Sequence, residues 1–173
     1  MMESKAQVLE KFSKVQFDRD RFYTVKNTGD QESMNCETAV HFFFAYAYDA
    51  VLSEDVRAME LLSGHRDFLK VQDAMPLEEG DIFLFGSRKH HAVAKTYVPE
   101  YDASGTLLNY FRTHLAVLMD PRMLTFFHCN KQGVQIWSLS DFFARHSYEM
   151  VFGVRRYMHF SPKNLGKRFC VTF

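Results

Sequence analysis

From Cys36 to about Leu52 the chain is apolar on most sides of a helix, and its middle reads His41-Phe42-Phe43-Phe44-Ala45-Tyr46-Ala47-Tyr48. A helix apolar all round is stable only when other elements enclose it. At 173 residues the chain is long enough to do so within a single domain, 1–173. Its 18 Phe supply large rings for that core.

The flanking segments read as follows. Residues 4–16 form an amphipathic helix with Val8, Leu9, Phe12 and Val15 on one face, so 1–19 is an N-terminal helical unit. Residues 17–35 are polar and turn-rich (Asn27-Thr28-Gly29-Asp30) and read as a loop. A second helix is expected from Glu54 to Ser63, with Ser53 as N-cap and Gly64 as its stop. The texture then changes. Pro76-Leu77-Glu78-Glu79-Gly80-Asp81 turns into the strand Ile82–Phe85. Further strands are expected at Ala92–Val98, His114–Met119, Leu124–Cys129, Val134–Trp137 and Val151–Tyr157, with a short helix at Ser140–His146. Segment 99–112 interrupts the pattern as an insertion, a lid or a surface excursion, and 158–173 is a C-terminal tail. Helices first and strands after them imply an α+β fold, with N-terminal helices packed on an antiparallel sheet of about five to six strands.

Bulk properties exclude several classes. Lys plus Arg and Asp plus Glu both number 21, and no basic block stands out, which argues against nucleic acid as the main partner. No apolar run is long enough for a membrane span. The start, Met1-Met2-Glu3-Ser4-Lys5, lacks the apolar stretch of a secretory signal, so synthesis in the cytoplasm is expected. Cys36, Cys129 and Cys170 are odd in number and form no C-x-x-C pair, which disfavours a disulfide framework or a closed zinc site. Adjacent His90-His91 on a strand would point oppositely, so no metal and no cofactor is expected.

The chemistry concentrates in an ordered trio. Cys36 opens the apolar helix, His114 opens a strand, and His128 closes the next. A thiol nucleophile needs a base within hydrogen-bond reach, and the base needs a third group to hold its tautomer. A helix start should favour the thiolate, so the Cys36 pKa is expected to fall. His91 is a rival base, because it also heads a strand-like run. Asn130 is a rival to His128, two residues on and on the same strand face. Cys129 and Cys170 read as structural.

In this order the pieces resemble the NlpC/P60 superfamily of papain-like cysteine peptidases and amidases. Tyr23 lies thirteen residues before Cys36, and Gly80-Asp81-Ile82-Phe83-Leu84-Phe85 is similar to the family's turn and strand. His114-Leu115-Ala116-Val117-Leu118 is similar to its His strand, and Phe126-Phe127-His128 with Gly133-Val134-Gln135-Ile136 to its third segment. Phe152-Gly153-Val154-Arg155-Arg156-Tyr157 resembles the last strand of a branch found among phage tail-tip proteins. The resemblance covers the core, 20–157. Two departures bear on substrate choice: Asn35 stands where the family has Asp, and Glu37-Thr38 where it has Ser-Gly. The resemblance implies a cysteine hydrolase acting on bacterial peptidoglycan stem peptides, with Cys36, His114 and His128 catalytic and Tyr23 and Asn35 at the substrate. The missing signal then implies delivery to the wall by a phage tail or a secretion machine. Acyl transfer or deamidation on a protein side chain uses the same constellation. A binding or scaffold module that kept the fold and lost activity is the non-enzymatic alternative.

Overall fold

The computed structural model describes residues 33–145 and 148–160, with Gln7, Glu10, Phe12, Ser13, Gln16 and Phe17 of the preceding segment. Gln7, Glu10 and Phe12 are helical, within the helix expected over 4–16, but Ser13 lies in a turn and Gln16 in a strand, so the helix stops short of its expected end; Val8, Leu9, Val15, Tyr23, Cys170 and the tail beyond Phe160 lie outside the described residues. Two short strands, β1 (Gln16–Phe17) and β2 (Ser33–Met34), pair in parallel just before helix α1 (Cys36–Tyr48). Helix α2 (Ala58–Ser63) follows. It begins four residues later than the sequence implies, with Arg57 rather than Ser53 at the N-cap, and it ends at Gly64 as expected.

The rest is a six-stranded sheet. Its strands are β3 (Phe68–Lys70), β4 (Ile82–Gly86), β5 (Thr113–Asp120), β6 (Thr125–Asn130), β7 (Gly133–Ser138) and β8 (Met150–Tyr157). The order across the sheet is β3-β8-β4-β5-β6-β7, and every neighbouring pair is antiparallel. The expected α+β class therefore holds, with an antiparallel sheet of six strands.

Two segments differ from expectation. Edge strand β3 has no counterpart in the sequence reading; three residues are too short to display a period of two. Ala92–Val98 is not a strand. A 3-10 turn over Arg88–His90 runs into helix α3 (His91–Lys95). Ala92, Ala94 and Lys95 are good helix formers, and Val93 and Val98 are exposed, so their apolar spacing reflects no buried sheet face.

The central strands are covered on both faces, which explains why β4 is buried at all five positions. On one face Ile82, Leu84, Leu115, Val117, Phe127 and Cys129 pack with the rings of α1. Phe12 brings the N-terminal helical residues into that layer, with its ring centroid 6.2 Å from Phe42 and 5.8 Å from Phe127. On the other face Phe83, Phe85, Ala116, Leu118 and Phe126 pack under Trp137, Tyr148 and Phe142 of helix α4 (Leu139–Ala144). Segment 99–112 is a surface excursion: Tyr101 bridges Leu107, the Asn109 amide ties its two ends, and the Tyr101 hydroxyl bonds to Glu60 on α2.

Candidate active site

Asn35 caps α1. Its Oδ1 accepts the N–H groups of Glu37 at 3.0 Å and Thr38 at 2.9 Å, and Thr38 Oγ1 accepts the Asn35 N–H at 2.8 Å. This capping box satisfies two of the donors that every helix start leaves free and fixes the helix end on which Cys36 rides. Asn35 thus has a structural task that accounts for its burial. Glu37 has one too: its Oε1 accepts the Ala58 N–H at 2.9 Å, at the first residue of α2.

The sheet opens beside this helix start. The β5–β6 ladder pairs Leu118 with Phe126 and Val117 with Phe127, and its register ends there, while β5 continues back to Thr113 and β6 on to Asn130. In the opened stretch the Leu115 backbone N–H lies close enough to Cys36 to favour its thiolate. The two histidines meet on the α4 side of the same opening, with His114 Nε2 2.9 Å from His128 Nδ1. Both rings are buried. The Tyr148 ring lies 4.7 Å from His114, and Trp137 and Phe142 lie 4.4 and 4.8 Å from His128.

The structure therefore brings His114 and His128 together directly and places Cys36 near the backbone of the residue after His114. Among the described residues the thiol and the His114 ring are not hydrogen-bonded to one another; such contacts often tighten only with substrate in place. Asn130 is occupied elsewhere, its Oδ1 accepting the Gln132 N–H at 2.8 Å in the β6–β7 turn. His91 begins a helix rather than a strand, and its ring lies 6.5 Å from Phe152. Cys129 points into the α1 layer, opposite His128, as strand alternation requires.

The electrostatics reverse one expectation. Burial, and next the neighbouring Glu37 carboxylate, push the Cys36 thiol up to about 12. The N–H groups of Leu115, Cys36 and Glu37 pull the other way and are outweighed. A half-buried thiol beside a fixed carboxylate is a poorer thiolate than a helix start alone would make it. Burial lowers His114 well below its usual value, with His128 and Arg112 adding to the effect, and burial holds His128 down at about 3. The resting site is a neutral thiol and two neutral imidazoles.

Two nearby residues had no signal in the sequence. Tyr148 is buried against His114; burial pushes its hydroxyl pKa up, and Arg112 pulls the other way. Arg112 is exposed two residues before His114. Tyr148 sits in a short connection ahead of β8, where no periodicity marks a residue as near the thiol. Among the described residues no group of three or more His, Cys, Asp or Glu is arranged to hold a metal ion, and no helix is long and apolar enough to cross a membrane. No model of a known protein family matches the chain, and no curated protein matches it.

Proposed function

We propose that the chain is a cysteine peptidase or amidase of NlpC/P60 type with a papain-like fold, cutting amide bonds in peptidoglycan stem peptides. The observation that carries this reading is the 2.9 Å contact between His114 Nε2 and His128 Nδ1 beside a cysteine at a helix start. With Nε2 engaged, His114 has Nδ1 left to take the thiol proton.

The chemistry follows from those atoms. The Cys36 sulfur attacks the amide carbonyl while its proton passes to His114 Nδ1. The carbonyl oxygen takes the negative charge and is met by the Cys36 N–H, which the Asn35 side chain does not engage, its Oδ1 accepting from Glu37 and Thr38 instead. Collapse breaks the C–N bond, His114 returns the proton to the leaving amine, and a thioester remains. Water then adds to the thioester, giving one proton to His114, and the acid departs as the thiol is restored. No cofactor takes part in these steps. Tyr148 supplies beside the thiol the hydroxyl expected of Tyr23. The cell wall is the site of action.

The test is digestion of purified muropeptides by the full chain and by Cys36→Ala, His114→Ala and His128→Ala. Shortened stem peptides that vanish in the first two variants and fall in the third support the reading. Intact peptides with all four proteins overturn it. The high thiol pKa favours a second reading, a binding module that kept the fold without turnover. That reading requires the wild-type chain and Cys36→Ala to bind wall fragments equally.

A further inference from the structure

His128 has two ring nitrogens and one hydrogen bond. Nδ1 meets His114; Nε2 is buried and has no hydrogen-bond partner among the described residues. The imidazole is 1% exposed, so water does not reach it freely. A neutral imidazole must carry one N–H, and burying an N–H with no acceptor is costly. The groups around this ring are aromatic: Trp137 at 4.4 Å in an edge-to-face arrangement, and Phe142 at 4.8 Å.

One proton lies between the two histidines, and it has two possible owners. In one arrangement His114 carries it on Nε2 and His128 Nδ1 accepts. His128 then holds its own proton on Nε2, buried in this aromatic surrounding. In the other, His128 Nδ1 donates to His114 Nε2. His114 then carries its proton on Nδ1 and has no lone pair there for a thiol proton, while His128 keeps a bare Nε2 lone pair buried in the same surrounding. Aromatic faces are negative and attract an N–H but repel a lone pair. We infer that Trp137 and Phe142 serve as π acceptors for the His128 Nε2–H and thereby set the tautomer of His114. They act through His128 and are positioning residues. The tautomer assignment stands on the geometry alone; its consequence for turnover rests on the hydrolase reading.

The experiment is long-range proton–nitrogen NMR of the histidine rings in the full chain at pH 7.5. It is repeated in Trp137→Leu and Phe142→Leu, with circular dichroism as the check on folding. The expected wild-type result is protonation at Nε2 on both His114 and His128, with the His128 ring proton shifted upfield by the aromatic rings. In folded variants the His128 signals are expected to show mixed tautomers. Where muropeptides are cut, kcat is expected to fall by about tenfold or more at constant KM. Protonation of His128 at Nδ1 in the wild type overturns the inference, and so do unchanged tautomers in both folded variants. If neither variant folds, the wild-type spectrum decides alone. A wild type with the expected tautomers and no hydrolysis sinks the hydrolase reading and leaves this inference standing.

Discussion

Glu37 reaches from the residue after Cys36 to the Ala58 N–H, 2.9 Å away, so one carboxylate caps α2 and charges the surroundings of Cys36. That double role predicts how the thiol behaves. With its pKa at about 12, Cys36 is protonated across the physiological range, and its alkylation by iodoacetamide is expected to accelerate with pH through pH 9 without levelling off. An ordinary cysteine levels off near its value of about 8.5. Glu37→Gln keeps an oxygen for Ala58 and removes the charge, so alkylation at pH 7.5 should quicken several-fold. A plateau below pH 8 in the wild type would contradict this electrostatic account.

The histidine pair ties stability to pH. His128 is held at about 3 in the folded chain, against an ordinary value near 6.5, and His114 is lowered in the same direction. The unfolded chain therefore binds more protons than the folded one in that window. The pair's contribution is complete above about pH 6.5 and declines as the pH falls, by roughly 1.4 kcal/mol per unit for His128 down to about 3, with His114 adding in the same direction. Urea midpoints at pH 7.5 and pH 5.0 measure the decline, and His128→Gln should make it shallower. Equal slopes in the two proteins would show that these rings do not carry the effect.

Asn35 offers a separable test of the helix start. Asn35→Ala removes the acceptor for one buried and one half-buried N–H group and should lower stability by about 1–2 kcal/mol. Asn35→Asp retains the acceptor and places a negative charge at the helix N-terminus, so stability should stay close to that of the wild type. Denaturant titration of both variants at pH 7.5 reads this out. Equal losses in the two would mean that the cap contributes little.

How much of this was legible in the sequence depended on where each residue sits in its element. Cys36 opens α1, His114 is the second residue of β5 and His128 lies inside β6, all in segments with clear periodicity, so their order and their faces could be read directly. The pairing of His114 with His128 in preference to His91 or Asn130 required the sheet register and the turn bond of Asn130. Glu37 was visible as an acidic neighbour, but its anchor on Ala58 depends on where α2 begins, and propensity placed that four residues early. Helix α3 was misread because alternating Ala and Val imitate a strand when burial is unknown. Tyr148 carried no signal, since its contact with the His114 ring is made by the chain's return into β8.

The last prediction concerns that return. The pairing of β4 with β8 slips at one point: Leu84 faces Gly153 and Phe85 faces Val151, so Phe152 is the extra residue of a bulge. A Cβ built on Gly86 would fall 2.0 Å from the Phe152 ring, so Gly86 is the space that the bulged ring needs. Phe152 in turn lies 6.1 Å from Phe111 and 6.5 Å from His91, and these contacts limit where the ring can go. Gly86→Ala should therefore cost about 1–3 kcal/mol, the usual penalty for overfilling a packed site. Phe152→Ala in the same chain opens the space, so the double variant should lose less than the sum of the two single losses. Unfolding midpoints of the two single variants and the double variant close this cycle. Strict additivity would show that Gly86 and Phe152 do not compete for the same volume.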